Sequence, residues 1–102
     1  MTPQPTDRPG LAEACYQRGR QALERGQVEA ASVLLRCAAA LNPLCGRTWN
    51  DLGVTFEALG NRGDAAECYR RALAVQPARH EARQNLGLLT FQMMVSRASL
   101  PR

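Results

Sequence analysis

A single histidine stands in this 102-residue chain, and it is the first place to look for chemistry. His80-Glu81 opens as the helix of a zinc metalloprotease does, where two histidines four residues apart hold the metal and a glutamate acts as base. Residue 84 is Gln84, so the second ligand is missing. Cysteine is the other option. Cys15, Cys37, Cys45 and Cys68 form no Cys-x-x-Cys pair and have no histidine at metal-ligand spacing. A cysteine nucleophile needs a base, and His80 is the sole imidazole. No Gly-x-Ser-x-Gly elbow, phosphate-cradling glycine loop or clustered carboxylate set occurs. The expectation is a protein that is not an enzyme, with no catalytic, metal or cofactor residues.

Charge narrows the partners. The formal net charge is +4, and all 13 basic residues are arginines. Acidic residues are interspersed among them, so the reading is a solvated mixed-charge surface and no nucleic-acid partner. The first residues are polar and proline-rich, without the apolar stretch of a secretory signal. No run approaches the roughly 18 apolar residues that cross a bilayer, so no membrane insertion is expected. A cytoplasmic protein with free, mostly buried thiols follows, a Cys37–Cys45 bridge being the weaker alternative.

The elements that would position any site are helical. Isoleucine is absent, Val and Thr are sparse, and Gly and Pro sit at segment ends. Residues 1–10, with Pro3, Pro5, Pro9 and Gly10, read as a disordered lead-in, where Thr6 or Asp7 is placed to cap the first helix. Helices are expected at about 11–25, 28–41, 44 or 46 to 59, 62–75, and 79 or 80 to 98, followed by a 99–102 tail. Asn42-Pro43 ends the second. Asn61 is placed to cap the fourth, with Asp64 in its first turn and Arg70 and Arg71 toward its far end.

The central stretch carries the strongest pattern. Trp49, Leu52, Gly53 and Phe56 share one face of a helix, and Ala65, Tyr69 and Ala72 share one face of the next, with Pro77 closing the unit. The small residues let the backbones approach, and the large ones fill the volume beside them. These residues, at these spacings, closely resemble the 34-residue unit of the tetratricopeptide repeat family. A shift of 34 residues toward the start maps them onto Gly19, Ala31, Leu35, Ala38 and Pro43, and a shift toward the end onto Leu86 and Gly87. The first copy departs at Cys15, Arg18 and Ala22, which suggests a loosely packed first helix with Tyr16 replacing some bulk. The resemblance implies an all-α, right-handed superhelix. It would hold two helix-turn-helix repeats, about 12–45 and 46–79, plus a capping helix over about 80–98, as one domain spanning 11–98.

It also implies a function. Such repeats act as protein-interaction modules, adaptors or small chaperones, that hold a partner segment in a concave groove. Here the groove would comprise Tyr16, Arg20, Asn50 and Val54, then Glu57, Gln84, Leu88 and Phe91. The carboxylate clamp that some members use on chaperone tails does not match, because Asp51 would repel a carboxylate. The last helix raises an alternative. In Leu86–Val95, seven of ten side chains are large and apolar and surround the helix. Leu86 and Gly87 are expected to face inward. Leu88, Leu89, Phe91, Met93, Met94 and Val95 are expected to form an oligomer or partner contact, making the chain a structural module or an accessory subunit.

Overall fold

The computed structural model describes residues 8–98. Among them the chain forms five helices: α1 (Arg8–Glu24), α2 (Val28–Leu41), α3 (Gly46–Ala58), α4 (Arg62–Val75) and α5 (His80–Ala98), and no strand. α1 begins three residues earlier than the sequence suggests, so Arg8, Pro9 and Gly10 are helical rather than part of a disordered lead-in. Proline fits there because the first turn of a helix has no intrahelical N–H bond to lose. The remainder of the lead-in, with its cap, and the 99–102 tail lie outside the described residues.

Neighbouring helices pair in order. α1 packs on α2 and α3 on α4 as hairpins, while α2 packs on α3 and α4 on α5 to join them; α1–α3 and α3–α5 contacts are slight. Both hairpin turns have one construction. Gly26 and Gly60 take the left-handed conformation, with φ of 75° and 82°. The next amide reaches back over the turn, Gln27 to the Ala22 carbonyl at 2.9 Å and Asn61 to Phe56 at 2.8 Å. Only glycine enters that conformation without a steric penalty, and the returned bond satisfies a carbonyl at the helix end. Asn61 stands at the start of α4 but makes no side-chain cap there; its backbone amide closes the turn.

Met94 stands one repeat length beyond Gly60. With no glycine to turn the chain, α5 continues through that point to Ala98. A second repeat-spaced feature lies at the other end of the same helices. The Trp49 indole donates to the Pro43 carbonyl at 2.7 Å, and Arg83 Nη2 donates to the Pro77 carbonyl at 2.6 Å. Tryptophan and arginine are unlike, yet each satisfies the carbonyl of the proline six residues earlier.

The hairpins close on glycine notches. A Cβ placed on Gly19 would lie 2.8 Å from Leu35 Cγ, and one placed on Gly53 would overlap the Tyr69 ring. Leu35 and Tyr69 are fully buried, between Ala31 and Ala38 and between Ala65 and Ala72. Phe56 packs against both core clusters and links the two hairpins. α1 is not loosely held: Ala12, Tyr16 and Ala22 are buried. The expected core residues differ in burial, although Trp49, Phe56 and Leu86 all pack against the core clusters. Pro43 and Pro77 are exposed at helix ends, and Trp49, Phe56 and Leu86 are half-buried. Gly87 is exposed with nothing within 4 Å of a Cβ placed there, because no helix among the described residues covers it. The thiols are free, but only Cys68 is buried; Cys15 and Cys45 are half-buried and Cys37 is exposed. Burial pushes the Cys68 thiol up to about 11.

Equal substitutions at two glycines should separate their roles. Gly53→Ala should cost about 1–3 kcal/mol of stability by overpacking against Tyr69. Gly87→Ala should be neutral or stabilising by up to about 1 kcal/mol in the monomer, through helix propensity. Urea denaturation of both variants measures the difference.

Candidate functional site

The first helices of the units, α1, α3 and α5, are joined by polar side chains about one repeat apart. Glu13 pairs with Arg47, whose guanidinium lies 4.1 Å from the centroid of the Tyr16 ring. The Tyr16 phenol donates to Asp51 Oδ2 at 2.6 Å. Arg20 Nη1 donates to the Tyr16 oxygen at 3.2 Å and stands 3.6 Å from Asp51 Oδ2. On the other side of α3, Asn85 Nδ2 donates to Asn50 Oδ1 at 3.0 Å, and Asn50 Nδ2 donates to Glu81 at 3.4 Å. These bonds hold the three helices in register where their backbone contacts are slight.

The electrostatics follow from this arrangement. Burial, then the bond to Asp51, raises the pKa of the Tyr16 phenol. Its bond to Tyr16, then the Asp51 charge, raises that of Arg20. Glu13 is held below the usual carboxylate range by hydrogen bonds from Gln17 and Arg47. In the second hairpin the Tyr69 phenol donates to Glu57. Burial, followed by that bond, raises the Tyr69 pKa. Cys45 is lowered on balance: burial raises it, but hydrogen bonds from Thr48 and Arg47 outweigh burial.

The expected groove residues divide into two groups. Tyr16 and Asn50 are buried and committed to the interhelical bonds. Glu57 is half-buried and accepts from Tyr69, while Val54 is half-buried against the second core cluster. Arg20, Gln84, Leu88 and Phe91 are exposed. Of the expected α5 contact residues, Leu88, Phe91, Met94 and Val95 are exposed and Met93 lies at the margin. Leu89 is 1% exposed and packs with Ala65, Ala66 and Tyr69, so it anchors α5 within the chain instead of facing a partner. The sequence reading missed Glu13, Arg47, Asn85 and Glu81 as framework. Their signal was complementary polar residues about one repeat apart. It took Asp51 for a free repelling charge, whereas that carboxylate is buried and bonded.

Elsewhere, the backbones of α2 and α4 stand apart and leave an open cleft of about 590 Å³. Trp49, Leu52 and Phe56 line it from α3, and the Arg71 guanidinium lies 5.0 Å from the centroid of the Trp49 ring. Arg71 also pairs with Glu67 at 3.6 Å, so it serves side-chain contacts within the fold. His80 is exposed at the start of α5. Among the described residues, no group of three or more His, Cys, Asp or Glu side chains is arranged to hold a metal ion. No described helix is long and apolar enough to cross a membrane.

Residues 46–79, the α3–α4 unit, match the family model described as tetratricopeptide repeat. The chain belongs to the tetratricopeptide repeat family. Human tetratricopeptide repeat protein 7A is 38% identical over 72 residues, covering 71% of this chain and 8% of its own length. An uncharacterized protein of Methanocaldococcus jannaschii is 34% identical over 65 residues, covering 64% of this chain and 76% of its own length. The crystal structure of MamA superposes with a TM-score of 0.78 at 28% identity, over 80% of this chain and 48% of that one. This tetratricopeptide repeat chain thus spans a small part of the human relative and about half of MamA. Its five helices in packed helix-turn-helix pairs also superpose on the crystal structure of the Sgt2 TPR domain from Aspergillus fumigatus, with a TM-score of 0.77 at 24% identity over 94% of this chain and 60% of that one.

The two raised phenols give a pH test. A raised folded-state pKa means their contribution to stability is complete below the unfolded value near pH 10 and is lost as pH rises through the folded value. The unfolding free energy should therefore fall between about pH 10 and 12. Tyr69→Phe should flatten that fall in chemical denaturation; an unchanged slope would show that Tyr69 does not carry it.

Proposed function

We propose that this chain is a non-catalytic protein-interaction module, an adaptor or small chaperone, which holds a segment of a partner protein along the face of α1, α3 and α5. The family implies a protein-interaction module. The observation that carries the finer reading is the division of labour on that face. Buried Tyr16, Asp51 and Asn50 and half-buried Asn85 fix the helices to one another, and Arg20, Gln84 and Leu88 are exposed beside them, Arg20 reaching back to Tyr16 and Asp51. A rigid polar framework beside exposed side chains lowers the entropic cost of recognition. The exposed side chains run from cationic at α1 to apolar at α5. The favoured segment therefore has an acidic or carbonyl-rich end near Arg20 and an apolar end near Leu88. The free thiols are consistent with a reducing, cytoplasmic setting.

A second reading, an oligomerising module or accessory subunit acting through α5, is favoured by Leu88, Phe91, Met94 and Val95, which are 46–64% exposed.

Tyr16 and Asn50 are unsuitable for testing the groove, since their loss would loosen the framework. The combined variant Arg20→Gln, Gln84→Ala and Leu88→Ala keeps the Tyr16–Asp51, Asn85–Asn50 and Asn50–Glu81 bonds and removes only the outer Arg20 contact to the first of these pairs. It should weaken a partner captured by crosslinking on the order of tenfold or more in calorimetric titration. Glu29→Ala with Arg36→Ala on α2 should leave binding unchanged. The reverse pattern would move the site off the first-helix face.

A further inference from the structure

The chain shows twice how a glycine notch is filled. Gly19 receives Leu35, and Gly53 receives Tyr69. Each filling residue follows an alanine by four positions, Ala31 before Leu35 and Ala65 before Tyr69. Gly87 is the third glycine of this series, one repeat beyond Gly53, and nothing lies within 4 Å of a Cβ built there. Four residues later stands Phe91, 64% exposed, and three beyond that Met94, 63% exposed. At about 100° per residue, Gly87, Phe91 and Met94 fall within about 60° of arc. That arc lies away from Ala82 and Leu89, the buried residues of α5. One exposed helix face therefore carries both an open notch and a large side chain at the spacing that fills such notches inside the fold.

We propose that a second copy of this chain docks on that face, with α5 antiparallel to α5, so that Phe91 of each copy seats at Gly87 of the other. A two-fold contact requires that if residue i meets residue j, then j meets i. Gly87 and Phe91 meet this condition about an axis at the level of Leu89. The glycine admits the ring and lets the two backbones approach, as Gly53 does for Tyr69. The arc from Met94 through Gly87 and Phe91 to Leu88 and Val95 carries no charge of its own; Arg83, one turn before Gly87, borders it and donates to the Pro77 carbonyl, and an axis at Leu89 sets it opposite Val95 and far from the other copy's Arg83, so two identical faces do not repel. Its area is small beside the roughly 800 Å² per partner of a standard interface, so the dimer is weak and concentration-dependent. This contact gives the second reading above its occupant; it shares Leu88 with the proposed groove but not Arg20.

Sedimentation equilibrium from micromolar to millimolar chain tests the contact, with circular dichroism confirming that every variant retains its helix content. A reversible monomer–dimer equilibrium is expected. Gly87→Leu, which meets open space in the monomer, should weaken the dimer on the order of tenfold or more by blocking the ring. Phe91→Ala should do the same by removing it. The exchanged variant, Gly87→Phe with Phe91→Ala, moves the ring and the notch to each other's places and should recover the dimer. A chain that stays monomeric throughout overturns the proposal. So does a Gly87→Leu variant that associates as well as the parent, since unspecific apolar adhesion would be strengthened by the added leucine. Failure of the exchanged variant to recover overturns it equally. Arg20→Gln should leave the dimer constant unchanged, so either outcome is separable from the groove.

Discussion

A glycine on one helix and a large side chain on the next set the distance between the backbones of each hairpin. The fit is steric and leaves little tolerance, because interiors are packed near crystal density. Around each notch the flanking alanines are buried to 1% or less, so no bulk separates the helices on either side of the central residue. Only one register of the hairpin places Leu35 at Gly19 or Tyr69 at Gly53. The left-handed glycine turns then need only return the chain on itself, since the notch decides where the return leg stops.

The contacts between units obey a different rule. First helices barely touch through their backbones, and polar side chains about one repeat apart join them. Tyr16 shows how much one residue can be asked to do. Its ring belongs to the first core cluster, its face receives Arg47, and its hydroxyl bonds to Asp51 and Arg20. A buried carboxylate such as Asp51 would be costly without partners, and here it has a phenol and a guanidinium. Such networks stabilise little beyond an apolar equivalent, but they are geometrically exacting. That suits a surface whose curvature sets what it can hold.

α5 stands at the edge of both rules. Its inner side follows the pattern, with Ala82 and Leu89 buried and Asn85 bonded to Asn50. Its outer side keeps the notch glycine but lacks a second helix to fill it. Phe91 and Met94 stand exposed on that side.

Much of the fold was legible in the residues. Repeat-spaced glycines, alanines and large apolar residues determine the helix pairs, and the spans of α2 and α4 follow directly. This legibility has a local cause: hydrophobic period, glycine turns and proline stops act within a few residues of where they are written. The burial of Tyr16, Asn50 and Leu89 was decided only by the tertiary structure. Whether a tyrosine on a helix face lines a groove or fills a core depends on what lies across from it, and for Tyr16 that is Asp51 and Arg47, a repeat away. Leu88 and Leu89 are alike as letters, but one is 62% exposed and the other 1%. A step of about 100° along α5 separates the side that meets α4 from the side that meets none, and only packing determines which side is which.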